Sequence, residues 1–169
     1  MKNDLVILVD ENDREIGTCP KMDAHLEGKL HRAFSLIIFN DKHEMLIHKR
    51  AQGKYHSGGL WTNACCSHPR PGEEMNRAVI RRCKEELGLD IVIPVFKGKF
   101  LYKVEFENGL TEHEMDYVYE VESIDIPVPD KEEIEAYSFV PMEKLKSDMI
   151  KNPQRYTYWF REIMNKFYS

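Results

Sequence analysis

Cysteine, tryptophan and long apolar runs are all scarce in this 169-residue chain, and each scarcity excludes something. Four cysteines cannot form a disulfide framework dense enough to replace a core. Size scaling predicts that about 70% of the open chain's surface is buried, leaving roughly 9,000 Å² outside, so one core suffices. Apolar stretches such as Leu5 to Val9 reach about five residues, far short of the roughly 18 a membrane helix needs, which excludes a helical span and a membrane partner of that kind. Charge of one sign is also missing. The balance is 24 basic against 29 acidic residues, or −5, without a run of either, which argues against nucleic acid as a partner and leaves room for a local anion pocket. The start, Met1-Lys2-Asn3-Asp4, lacks the basic-then-apolar layout of a secretion signal, so a cytoplasmic setting with reduced thiols is expected. No repeat or linker-like composition interrupts residues 1–169, which read as one domain, monomer or homodimer.

What is present is a strand-rich first half and three helical patterns. Leu5 to Val9, Arg14 to Cys19, Phe34 to Phe39 and Glu44 to Arg50 read as strands punctuated by Asn12-Asp13 and Asn40-Asp41. Met75, Ala78, Val79, Cys83 and Leu87 form the apolar stripe of a helix over 74–87, with Glu73 and Glu74 in its first turn, Gly88 as its stop, and Arg82 and Glu86 on its solvated face. Val95 to Phe106 and Leu110 to Val121 form a hairpin around Asn108-Gly109. Tyr137 to Val140 is a short strand, a helix follows Pro141, and Trp159, Phe160, Ile163, Met164 and Phe167 stripe a terminal helix. The class is α+β, with helices packed on sheets.

Alternation along the hairpin's return strand puts Glu112, Glu114 and Asp116 on one face and Met115, Tyr117, Tyr119 and Val121 on the other. Carboxylates two apart on a strand face can ligate a cation or share a proton; the plain alternative is a solvent-facing acidic edge. His25, His31 and His68 can supply imidazole nitrogens to a site for Zn2+, Mn2+ or Mg2+, although a histidine taken alone is more often a surface or hydrogen-bonded residue. His43 and His56 read as loop residues without a role. Of Cys65 and Cys66 at most one faces a pocket, because neighbours in extended chain point oppositely. That thiol is either inert and buried or, beside a metal or imidazole, shifted down into the range useful for proton transfer. Lys21, Arg50, Lys54 and Arg82 are candidates for phosphate oxygens or plain solubilising charges, and Tyr102 and Trp159 for pocket aromatics or core.

The segment around the 74–87 helix resembles the Nudix box: Glu73, Arg81, Glu85, Glu86, Gly88 and Leu89 match, whereas Ser67 stands in place of the first glycine and Arg82 in place of a glutamate. Losing that carboxylate weakens the case for diphosphate hydrolysis. With Leu30-His31-Arg32-Ala33-Phe34-Ser35, Thr62-Asn63-Ala64-Cys65-Cys66-Ser67-His68-Pro69 and Glu112-His113-Glu114 added, nearly the whole chain resembles the type I isopentenyl diphosphate isomerases. The resemblance implies a Nudix-like α/β/α sandwich with a mixed central sheet and flanking helices. It also implies interconversion of isopentenyl and dimethylallyl diphosphate through a tertiary carbocation, in isoprene biosynthesis. His25, His31, His68, Glu112 and Glu114 would then bind one divalent metal, Mn2+, Zn2+ or Mg2+. Glu86 would hold a Mg2+ shared with the substrate diphosphate, the Cys66 carbonyl nearby, and Lys21, Arg50, Lys54 and Arg82 would contact that diphosphate. Cys66 and Glu114 would handle protons, with Tyr102 hydrogen-bonded beside them and Trp159 lining the pocket. A Nudix diphosphate hydrolase and a catalytically silent ligand-binding module on the same scaffold are the alternatives.

Overall fold

A computed structural model describes residues 4–169; Met1 to Asn3, part of the start read above, lie outside the described residues. The strands are β1 (Leu5–Val9), β2 (Glu15–Pro20), β3 (His31–Phe39), β4 (Glu44–Arg50), β5 (Trp61–Thr62), β6 (Cys65–Ser67), β7 (Val95–Glu105), β8 (Thr111–Glu122) and β9 (Ile134–Pro141). The helices are α1 (Lys21–Glu27), α2 (Met75–Leu87), α3 (Met142–Lys151) and α4 (Tyr158–Phe167), with one 3-10 turn at Pro153–Arg155. Among the described residues no helix is long and apolar enough to cross a membrane.

All the strands belong to one mixed sheet organised around β3. Along one edge β3 runs parallel to β8 from His31 opposite Glu114 to Phe39 opposite Glu122. Its other edge is shared by β1 at His31, by β6 at Phe34 to Leu36 and by β4 at Phe39, all antiparallel. Because β3 is paired on both edges and packed on both faces, its run reads as continuous apolar residues, not alternating ones. Phe34, Leu36 and Ile38 meet Ala78, Val79, Cys83 and Leu87 of α2 on one face. Ile37 and Val118 meet Leu145, Phe160, Ile163 and Met164 of α3 and α4 on the other. This is the α/β/α sandwich expected, and its 8992 Å² of accessible surface agrees with the size scaling.

Several local expectations need correction. α1 carries too few apolar residues to announce itself by period; its Ala24 and His25 are nonetheless buried. β3 begins at His31, three polar or small residues before the apolar run that marks it in the sequence. Helix α2 starts at Met75, so Glu73 lies outside it, where both its oxygens accept from Arg81 at 2.7 and 2.9 Å. Gly88 ends α2 at φ +66, and a Cβ there would stand 2.9 Å from the Val128 carbonyl, so only glycine fits. At the hairpin Gly109 takes φ +87, as the Asn-Gly dipeptide predicts.

Candidate active site

One cleft gathers Ser35, Arg50, Tyr55, His56, Cys66, Ser67, His68, Glu112, Glu114 and Trp159. A wider groove between β9 and α3, lined by Phe139, Val140 and Lys144 among others, holds none of the candidate residues. The cleft owes its two-sidedness to β3. Glu112 and Glu114 come from β8 on one edge of that strand and Cys66 from β6 on the other, where it pairs with Ser35. Alternation in β6 separates the two cysteines as expected. Cys66 packs with the α4 side, while the Cys65 thiol points at α2 and donates to Glu86 Oε2 at 3.1 Å.

On the β8 side the acidic strand face is no solvent edge: Glu112 and Glu114 are each 5% exposed. Glu114 Oε2 lies 3.2 Å from His31 Nε2 and 3.0 Å from His68 Nε2, and its Oε1 accepts from the Tyr102 hydroxyl at 2.7 Å. His25 and His31 donate their Nδ1 protons to the Lys21 and Lys29 carbonyls at 2.7 and 2.9 Å. A neutral ring would then aim an Nε2 lone pair at carboxylate oxygens, so the cluster calls either for protonated imidazoles, which donate to the carboxylates, or for a cation in the place of those protons. Donor atoms of His25, His31, His68 and Glu114 all lie within 4.8 Å of one another, and so do those of His25, His56 and Glu112. His25 Nε2 and Glu112 Oε2 are buried without hydrogen-bond partners. Burial raises the Glu114 carboxyl, but the His31 and His68 hydrogen bonds outweigh it and hold it well below its usual range. Burial pushes His25 down, yet Glu112 and the Lys21 carbonyl leave it raised: the cluster is short of positive charge. A divalent metal fits this donor set.

The β6 side is the opposite in character. Burial, seconded by the Asp116 charge, pushes the Cys66 thiol up to about 12. The sequence left a lowered value open; among the described residues no cationic side chain or imidazole hydrogen-bonds to the sulfur to produce one. Instead the thiol donates to Asn63 Oδ1 at 3.0 Å and accepts from the Trp159 indole N–H at 3.0 Å. Asn63 is itself pinned by donating to the Leu36 and Cys65 carbonyls, both at 3.1 Å. Ser35 lies below, 3.7 Å from the sulfur, and donates to Asp116 at 2.8 Å.

At the rim, Arg50 is 7% exposed, stacks 5.3 Å from the Trp159 ring centre and donates to the His56 carbonyl at 3.1 Å. Lys54 pairs with Glu133. Lys21 is pushed down by burial and then by the charges of Lys54 and Arg82, which means that the three share one positive field. Arg82 reaches Ser67 Oγ at 3.0 Å and Glu86 Oε2 at 3.2 Å. The solvated helix face read around Glu86 is a correction: Glu86 is 5% exposed, and burial raises its carboxyl although Arg82 opposes the rise.

Sequence reasoning missed His56, whose side chain is 1% exposed and whose Nε2 lies 3.2 Å from Glu112 Oε2. It also gave no part to Asn63 or Asp116. For Asp116 a signal was there, since it shares the strand face of Glu112 and Glu114; for His56, in a glycine-bearing loop, there was none.

The NUDIX domain family matches residues 29–160. An isopentenyl-diphosphate Delta-isomerase of Pectobacterium atrosepticum is 43% identical over 157 residues, covering 92% of this chain and 87% of the relative. One of Aromatoleum aromaticum is 45% identical over 163 residues, covering 96% and 92%. Among solved structures, a Deinococcus radiodurans protein has a TM-score of 0.80 at 19% identity, covering 98% of this chain and all of its own. A MutT protein of Methanosarcina mazei has a TM-score of 0.68 at 19% identity, covering 82% and 92%. These two share the fold alone, whereas the sequence relatives reach nearly end to end. The chain therefore belongs to the NUDIX domain proteins and, among them, to the isopentenyl-diphosphate Delta-isomerase family.

Proposed function

We propose that this chain is an isopentenyl-diphosphate Delta-isomerase, interconverting isopentenyl and dimethylallyl diphosphate by adding a proton to the alkene and removing another through a tertiary carbocation. The observation that carries the reading is a single cleft in which the Cys66 thiol and the Glu114 carboxyl come from strands on opposite edges of β3, with burial favouring the protonated thiol and imidazole contacts the ionised carboxylate. Transposing a double bond needs that inequality. One group gives a proton while the other takes one, and Cys66 and Glu114 exchange states with each turnover. Tyr102 holds its hydroxyl proton against Glu114 and so fixes which carboxylate oxygen faces the substrate. The Trp159 ring, which already carries the Arg50 guanidinium on its face, is suited to a carbocation beside it.

His25, His31, His68, Glu112 and Glu114 are the residues that would hold one divalent metal, Zn2+, Mn2+ or Mg2+. Bound there, the ion supplies positive charge that offsets two buried carboxylates and polarises Glu114. Glu86 and the Cys66 carbonyl would hold a Mg2+ shared with the diphosphate, since Mg2+ is usually bound through one carboxylate plus substrate phosphates. Arg50, Arg82, Lys21 and Lys54 would grip that diphosphate, with Lys54 exchanging Glu133 for it. Anchoring the charged end away from the thiol keeps a good leaving group from departing while a cation forms nearby.

The test is incubation of the metal-loaded protein with isopentenyl diphosphate and Mg2+ in deuterated water, followed by proton NMR. Deuterium-bearing dimethylallyl diphosphate is expected. Absence of any allylic product, or release of phosphate in its place as a hydrolase would give, overturns the reading.

A further inference from the structure

The loop between β4 and β5, residues 51–60, carries Lys54 and, two positions on, His56. Its imidazole is held from several directions. The ring stacks on Phe106 at 4.4 Å and 10°, meets the Trp159 ring edge-on at 5.6 Å, and places Nδ1 3.1 Å from Ser57 Oγ. That leaves Nε2 buried and without a hydrogen bond, 3.2 Å from Glu112 Oε2, which is itself buried and unpartnered, as is the Nε2 of His25. Three polar atoms with no partner around one point are costly unless something satisfies them all. A protein hydrogen bond does not, because the His56 to Glu112 approach lacks the alignment of one.

We propose that His56 is a further protein ligand of the metal held by the histidine and carboxylate cluster, reaching it through Nε2 from the diphosphate-binding loop. His25 Nε2 belongs to both candidate donor groups, so the ion that binds His25, His31, His68 and Glu114 lies beside Glu112 and His56. The donor atoms of each group lie within 4.8 Å of one another, whereas neighbouring ligands on an ion bound at about 2.1 Å stand roughly 3 Å apart, so filling the site draws the loop inward. The consequence lies at the rim. The His56 carbonyl accepts from Arg50, and Tyr55 is tied by its carbonyl to Asn108 of the hairpin, so a metal-bound His56 sets the loop that presents Lys54. Metal at the buried centre thereby prepares the anion site.

The proposal rests on the metal reading of the cluster, and its test is metal binding without turnover. Stripped wild type, His56→Ala and His56→Phe are titrated with Co2+ and Zn2+ against a competing chelator, and the imidazoles around the bound ion are counted by X-ray absorption. The phenylalanine keeps the stack on Phe106 and serves if alanine fails to fold. Affinity about tenfold to a hundredfold weaker in the variants, with one imidazole fewer, and slower amide-hydrogen exchange at 51–60 on metal addition in wild type alone, is expected. Equal affinity and an equal imidazole count overturn it and leave His56 a simple neighbour of Glu112. An isomerase that fails to turn over while binding metal through His56 would sink the functional reading and spare this one.

Discussion

The two sides of β3 offer the same cleft opposite chemistry. On the β8 side, two buried carboxylates face imidazoles whose outer nitrogens are already committed to backbone carbonyls, so the inner ones have charge to satisfy and only a cation to satisfy it. On the β6 side, a thiol sits between a neutral acceptor, Asn63, and a neutral donor, Trp159; the Trp159 and Ser35 hydrogen bonds favour its anion, but burial and the Asp116 charge outweigh them and keep the proton in place. Burial pushes both groups toward the protonated form, and the outcomes differ by what else touches them. The carboxylate is rescued from desolvation by two imidazole contacts, and the thiol is left to it. An acid and a base can therefore coexist within one small pocket.

The sharpest way to break the contrast is Glu114→Gln, which removes a metal donor and a proton acceptor together. Its kcat should fall by about 10⁴, at the upper end of general acid–base effects, and metal affinity should fall with it in a chelator competition. Cys66→Ala should cost about 10² to 10⁴ in kcat while metal content, measured by atomic absorption, stays at the wild-type level. Loss of metal in that variant would show that the two sides are not separate.

Alkaline stability comes next. In the unfolded chain the Cys66 thiol ionises near its ordinary 9.0, but folded it stays protonated to about 12. Above pH 9 the unfolded state binds fewer protons, so stability falls as pH rises, by on the order of 1 kcal/mol between pH 9 and 10 from this group. Denaturant melts should show a shallower fall in Cys66→Ala; Cys65 and Cys83, also raised by burial, retain the remaining slope. The metal-free β8 side fails at the other end. The stability that Glu114 contributes is present above its ordinary 4.5 and is lost as pH falls through its depressed value. The smallest effect is expected from Trp159→Phe, which keeps the ring and removes one N–H donor to sulfur. A decrease of about fivefold in kcat corresponds to one hydrogen bond of about 1 kcal/mol. A decrease of a hundredfold would mean that the indole N–H, not the ring, is what the thiol depends on.

Strand alternation was enough to place Glu112 and Glu114 together and to separate Cys65 from Cys66, because both are consequences of a period of two that needs no neighbour to enforce it. Helical period likewise marked α2 and α4. The resemblance to the isopentenyl diphosphate isomerases, carried by the motifs at 30–35, 62–69 and 112–114, tied His31, Cys66, His68 and Glu114 to one chemistry before any distance was known. Whether the acidic face met solvent, which direction the thiol shifted, and that His56 joins the cluster were decided by what α4, the 51–60 loop and the hairpin lay over it. Those contacts join residues up to ninety or so positions apart, as Trp159 to Cys66 does. Desolvation and lone-pair pairing depend on that packing, and no local pattern in a chain encodes how much water a distant segment will exclude.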